Sequence, residues 1–129
     1  MAAYDGIIIG QSLNDPALLR QWNIVAQKQQ GGWTFLWVSI PEGELGDRIG
    51  DLQMSMIPME EDCWYNHFFQ DDTLVVVYQD AVFRTTTNPQ DWTEVVEYGL
   101  RHGVPTEQLD FNPCTRDGAA RLFGDKGRD

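Results

Sequence analysis

PALLRQWNIVAQKQQGGWTFLWVSI, residues 16–40, is the stretch on which the fold turns. Leu18, Trp22 and Val25 keep helical spacing through it, whereas Trp22, Ile24 and Ala26 keep strand spacing, so a helix opened by Pro16 ends either near Gln21 or near Gln29. Asn14 or Asp15 can cap that helix, and Pro16 suits its first position, where a missing N–H costs nothing. Gln30, Gly31 and Gly32 make a hairpin turn into WTFLWVSI, which favours a short helix to about Gln21 and a strand from Asn23 to Gln29. With the longer helix the second strand is lost and a different α+β fold results.

Upstream, three isoleucines between Gly6 and Gly10 form a short β-branched run suited to a buried strand. Downstream, Trp33, Phe35 and Trp37 share one face and Leu36, Val38 and Ile40 the other. Both faces are therefore apolar, which places this strand inside a sheet. After Pro41, Leu45, Ile49, Leu52 and Met56 recur at helical spacing with acids opposite, an amphipathic helix. From Cys63 the chain reads as a meander of CWYNHFF, TLVVVYQ and VFRTT, with turns at Asp71–Asp72 and around Asp80. A last helix opens at Asn88 or Asp91 and stops near Gly103 and Pro105. The order β, α, β, β, α, β is the split βαβ plan of a ferredoxin-like sandwich, extended by a C-terminal ββα unit. It predicts an α+β domain over residues 1–115 with a largely antiparallel sheet and helices on one side. Residues 116–129, rich in Gly, Arg and Asp, read as a poorly packed tail.

The stretches YDGIIIGQSLNDPALL (4–19), WYNHFF (64–69), VVVYQDAVFRTT (75–86) and WTEVVEYGLRHGVPTEQLDF (92–111) resemble a family of small uncharacterised bacterial and archaeal proteins. The most specific piece is Tyr98 to Phe111, where Gly103 and Pro105 stop a helix and Leu109 and Phe111 re-enter the core. The resemblance implies a compact α+β domain and carries no activity and no catalytic residue.

Composition narrows the function classes. The chain of 129 residues is 42% hydrophobic, enough for one core, and has a formal net charge of −11. Ten acids and a single base, Arg48, lie between Glu42 and Asp80, and the nine bases of the whole chain are scattered. Nucleic-acid binding needs a basic stripe and is not expected. No apolar run approaches the roughly 20 residues of a membrane span, and the start lacks a signal-peptide pattern, so a cytoplasmic protein without membrane contact is expected. Cys63 and Cys114 are expected as free thiols.

Chemistry-bearing residues gather around the central strand. Cys63 and His67 would neighbour each other on a helix, but on a strand they lie roughly 13 Å apart at about 3.3 Å per residue. Alternation puts Cys63, Tyr65, His67 and Phe69 on one side and Trp64, Asn66 and Phe68 on the other. His67 reads either as a hydrogen-bonded sheet histidine or as a ligand-binding group. Trp64, Tyr65, His67 and Asp71 are the candidate ligand-binding residues. No catalytic set, metal-ligand pattern or cofactor motif is present: GIIIGQS lacks the third glycine and the lysine of nucleotide loops, and Ser12 and Ser39 lack a nucleophile elbow.

The expected function is a non-enzymatic binding module for a partner protein or a small ligand, with homodimerisation through an apolar sheet face as a further expectation. One alternative is a small enzyme using His67 with Glu60, Glu61, Asp62 or Asp71 as acid–base groups on a substrate held by Trp64 and Tyr65. Another is an acidic inhibitor that covers a basic surface on another protein.

Overall fold

The computed structural model describes residues 3–58, 62–111 and 113–128, with side chains described as far as Phe123. Six strands form a single sheet: β1 (Ala3–Ile9), β2 (Asn23–Gln30), β3 (Trp33–Pro41), β4 (Tyr65–Gln70), β5 (Thr73–Tyr78) and β6 (Ala81–Thr86). They lie in the order β2-β3-β1-β4-β5-β6, and every neighbouring pair is antiparallel. Among the described residues, three α-helices complete the α+β architecture: α1 (Leu45–Ser55), α2 (Thr93–Arg101) and α3 (Arg116–Arg128). No described helix is long and apolar enough to cross a membrane.

The ambiguous stretch resolves into a short 3-10 helix at Pro16–Gln21, followed by β2. Asp15 caps the helix by accepting from the Ala17 amide at 3.1 Å. The conflict of periods has a local cause, because the β2–β3 register shifts between Ile24 and Ala26, where Val25 bulges out of the ladder. Gly31 supplies the positive φ, +64°, that the tight hairpin loop into β3 requires.

The sheet is covered on both faces, which corrects the expectation of helices on one side. On the first face, Tyr4, Ile8, Leu36, Val38, Phe68, Val75 and Val77 meet Leu19 and Trp22 of the 3-10 helix and Leu45, Ile49 and Leu52 of α1. On the second, Ile7, Trp37, Phe69, Leu74, Val76 and Tyr78 meet Trp92 and Val95 at α2, Val104, Leu109 and Phe111 beyond it, and Ala119 and Phe123 of α3. Among the described residues, both faces of the central strands are thus occupied by the chain's own side chains.

The tail expectation is also corrected, since residues 116–128 form α3. Ala119, Leu122 and Phe123 share one helical face, which is sufficient to dock it. Phe123 lies 5.8 Å from Trp37 between ring centroids, and Lys28 Nζ donates to the Leu122 carbonyl at 3.1 Å. At the start of α3, Arg116 sits over Trp37, 5.8 Å from the ring centroid, and 3.9 Å from the buried Asp5 carboxylate. Asp5 also accepts from Trp37 Nε1 at 3.0 Å, so this inward carboxylate has partners from both the sheet and the helix.

Candidate functional site

The site begins where two central strands part. β1 and β4 pair at Asp5–Phe69, Gly6–Phe68 and Ile7–His67, and no pair follows. Beyond that point the side chain of Asn66 replaces the ladder: its Oδ1 accepts from the Ile9 amide at 2.7 Å and its Nδ2 donates to Ser12 Oγ at 3.0 Å. Ser12 Oγ in turn donates to the Ile9 carbonyl at 2.7 Å. Asn66 and Ser12 are fully buried, and these bonds satisfy backbone groups that a continuing strand would have paired.

On the second face of the sheet, beside this divergence, lies a cavity of about 370 Å³. Ile7, Ile9 and Phe35 line it from β1 and β3, Gln30 and Trp33 from the β2–β3 hairpin, Tyr65 and His67 from β4, and Gln108 and Asp110 from the segment after α2. The Trp33 ring is stacked beside Phe35, 6.3 Å between centroids and 9° from parallel. Aromatic and aliphatic walls with a few polar groups are the usual make-up of a small-molecule site.

His67 is 3% exposed, and its Nε2 lies 2.7 Å from the Pro113 carbonyl. A carbonyl only accepts, so Nε2 carries the ring proton and Nδ1 is left as the acceptor nitrogen. Burial pulls the His67 pKa down to about 4, against the opposing effects of the Pro113 hydrogen bond and the Asp110 charge. The imidazole is therefore neutral at pH 7. Tyr65 donates its hydroxyl proton to the Gln108 carbonyl, and burial together with the Asp110 charge raises its pKa, so that proton stays in place.

Of the four candidate residues, the structure brings Tyr65 and His67 to the cavity and leaves the other two outside its lining. Asp71 lies in the exposed turn at the far end of β4, with φ +51°. Trp64 packs toward the first face, and its indole contacts the cavity-wall residue Trp33 edge-on at 5.1 Å. Trp64 Nε1 is buried with no hydrogen-bond partner among the described residues.

Among the described residues, the carboxylates named in the acid–base alternative do not line the cavity. Glu60 and Glu61 lie outside the described residues. Asp62 is exposed and accepts from the Cys63 amide at 3.0 Å, and neither it nor Asp71 lines the cavity. A histidine with a pKa near 4 is also a weak base at neutral pH, where a value near 7 serves best. The Cys63 thiol is pushed up to about 11 by burial first and by Asp62 and Asp80 second, and Cys114 is raised by burial and Asp110. Both are free thiols held in the unreactive form. Among the described residues no group of three His, Cys, Asp or Glu side chains is placed to hold a metal.

Seven lining residues escaped the sequence reading: Ile7, Ile9, Gln30, Trp33, Phe35, Gln108 and Asp110. The alternation of Trp33, Phe35 and Trp37 was a usable signal. Locating it against Tyr65 and His67 required knowing that β1 lies between β3 and β4. Comparisons with family models, with curated proteins and with solved structures find no match to this chain.

Proposed function

We propose that this protein is a non-enzymatic binding module for a small organic ligand held between β1, β3, β4 and the segment after α2. The observation that carries the reading is the cavity of about 370 Å³, in which Phe35, Trp33, Ile7 and Ile9 supply apolar wall and His67 and Tyr65 supply fixed polar groups. Both polar groups have their protons committed to backbone carbonyls, so the site is shaped in advance of any ligand, which lowers the ordering cost of binding. A ligand site is favoured over a protein-docking face because the exposed large hydrophobics, Ile24, Val25, Met54, Val82 and Leu100, are spread over four elements.

Two coarser features accompany this reading. The order β2-β3-β1-β4, with helical segments after β1 and β3, supports a split βαβ core to which β5, β6 and α2 are appended as a ββα unit. The two unpaired thiols support a reducing, cytoplasmic setting.

The test is native mass spectrometry of protein purified from its own host, paired with thermal unfolding in the presence of small-molecule extract. The expected result is a retained small mass, or a rise in Tm, that disappears in the cavity-filling variant Ile9→Phe. A bare protein whose Tm no extract fraction moves would overturn the proposal.

A further inference from the structure

The cavity and the fork in the sheet are made of the same residues. Ile7 and His67 are the last pair of the β1–β4 ladder, and both line the cavity. Carried two residues further, that register would set Ile9 opposite Tyr65, and these two line it as well although no ladder pair joins them. β1 meanwhile keeps to its other neighbour as far as Ile9–Phe35, and Phe35 is a further wall. The hollow is the space left where β4 departs from β1 while β1 stays with β3.

The residues that hold the fork apart do not line the hollow. Asn66 alternates with Tyr65 and His67 along β4 and so belongs to the opposite face, and neither it nor Ser12 is part of the lining. Between them they occupy both backbone groups of Ile9: Asn66 Oδ1 accepts from the amide at 2.7 Å, and Ser12 Oγ donates to the carbonyl at 2.7 Å. The bond from Asn66 Nδ2 to Ser12 Oγ, 3.0 Å, ties the two side chains together. Directly paired strands lie about 4.8 Å apart, and a carboxamide placed between them demands a wider spacing. Both side chains are fully buried, so water does not replace a bond that is lost there. An Ile9 backbone released from them finds its nearest partner, by register, in Tyr65.

We infer, resting on the ligand-cavity reading above, that Asn66 and Ser12 are positioning residues that set the width of the cavity without touching its occupant, and that this width admits two fused rings. A cavity of about 150 Å³ takes up benzene, and this one is about 370 Å³. Removing either partner lets Ile9 move towards Tyr65 and shifts the preference towards a single ring.

The experiment is isothermal titration calorimetry on the full chain with 2-naphthol and phenol, which carry the same hydroxyl and differ by one fused ring. The wild type is expected to bind 2-naphthol about tenfold more tightly, as burial of the second ring would give, and to lose both probes in Ile9→Phe. Asn66→Val, and Ser12→Ala as the milder change should the first not fold, are expected to narrow that ratio to about threefold or less, with 2-naphthol weakened and phenol retained. A loss of stability alone would not move the ratio. An unchanged ratio in a folded variant, or equal weakening of both probes, would overturn the inference and leave the ligand cavity in place. Equal affinities for the wild type would overturn the size assignment. Silence from both probes at millimolar concentration would overturn the ligand reading, and crystal structures of the two variants would then decide the fork by itself. Ile9 paired with Tyr65 beside a narrower hollow is the expected result there, and an unaltered hollow would overturn it.

Discussion

His67 shows how one buried imidazole ties stability to pH. Its folded pKa is about 4, against 6.5 in the unfolded chain. Above pH 6.5 neither state takes up a proton at this ring, and the neutral fold keeps its full advantage. As the pH falls from 6.5 towards 4 the unfolded chain is protonated first, so stability is lost across that window. The loss amounts to about 3 kcal/mol at 1.36 kcal/mol per pH unit. Urea denaturation at pH 7 and pH 4.5 is expected to show the wild type losing about 2–3 kcal/mol more than His67→Gln over that interval. Carboxylates titrate in the same range in both proteins, so the difference between them isolates the ring, and identical losses would refute the assignment. That Tyr65 and His67 share a face was legible from strand alternation alone. The carbonyl that fixes the tautomer belongs to Pro113, 46 residues further along, and no local pattern announces it.

At the scale of the element, the central strand pair depends on a missing side chain. A Cβ placed on Gly6 would stand 2.5 Å from Phe68 Cδ1 and 3.0 Å from Val38 Cγ2, so the Phe68 ring occupies the space a larger residue in β1 would need. Gly6→Ala is expected to destabilise the fold by about 1–3 kcal/mol through overpacking. In a double-mutant cycle with Phe68→Leu, part of that cost, about 1 kcal/mol, should be recovered. Strict additivity of the two changes would mean that the clash is not the cause. Elements were the most readable level of this protein. The Gly31–Gly32 hairpin, the amphipathic α1 and the meander from β4 to β6 each follow from turn chemistry or a clean period. Only the Val25 bulge blurred β2, because one extra residue switches the face on which every later side chain falls.

For the whole molecule, the decisive property is a sheet buried on both sides, and it was only half legible. β3 and β5 are apolar on both faces, which requires cover above and below. The residues that provide the second cover include Ala119 and Phe123, set among glycines and charges that dilute the amphipathic signal of α3. Phe123→Ala is expected to cost about 3 kcal/mol in urea unfolding, the loss typical of a packed aromatic. An effect within about 0.5 kcal/mol would return the segment to the status of a loose tail. The two layers also frame the gap between β1 and β4, where the Asn66 amide stands in for the backbone of a neighbouring strand. A change that let those strands zip to their ends would gain ladder bonds and close the hollow beside them. Engineering this chain for heat resistance and engineering it for occupancy would thus compete over the same hydrogen bond, and the sturdiest version of this sheet would be the one with nowhere to put a guest.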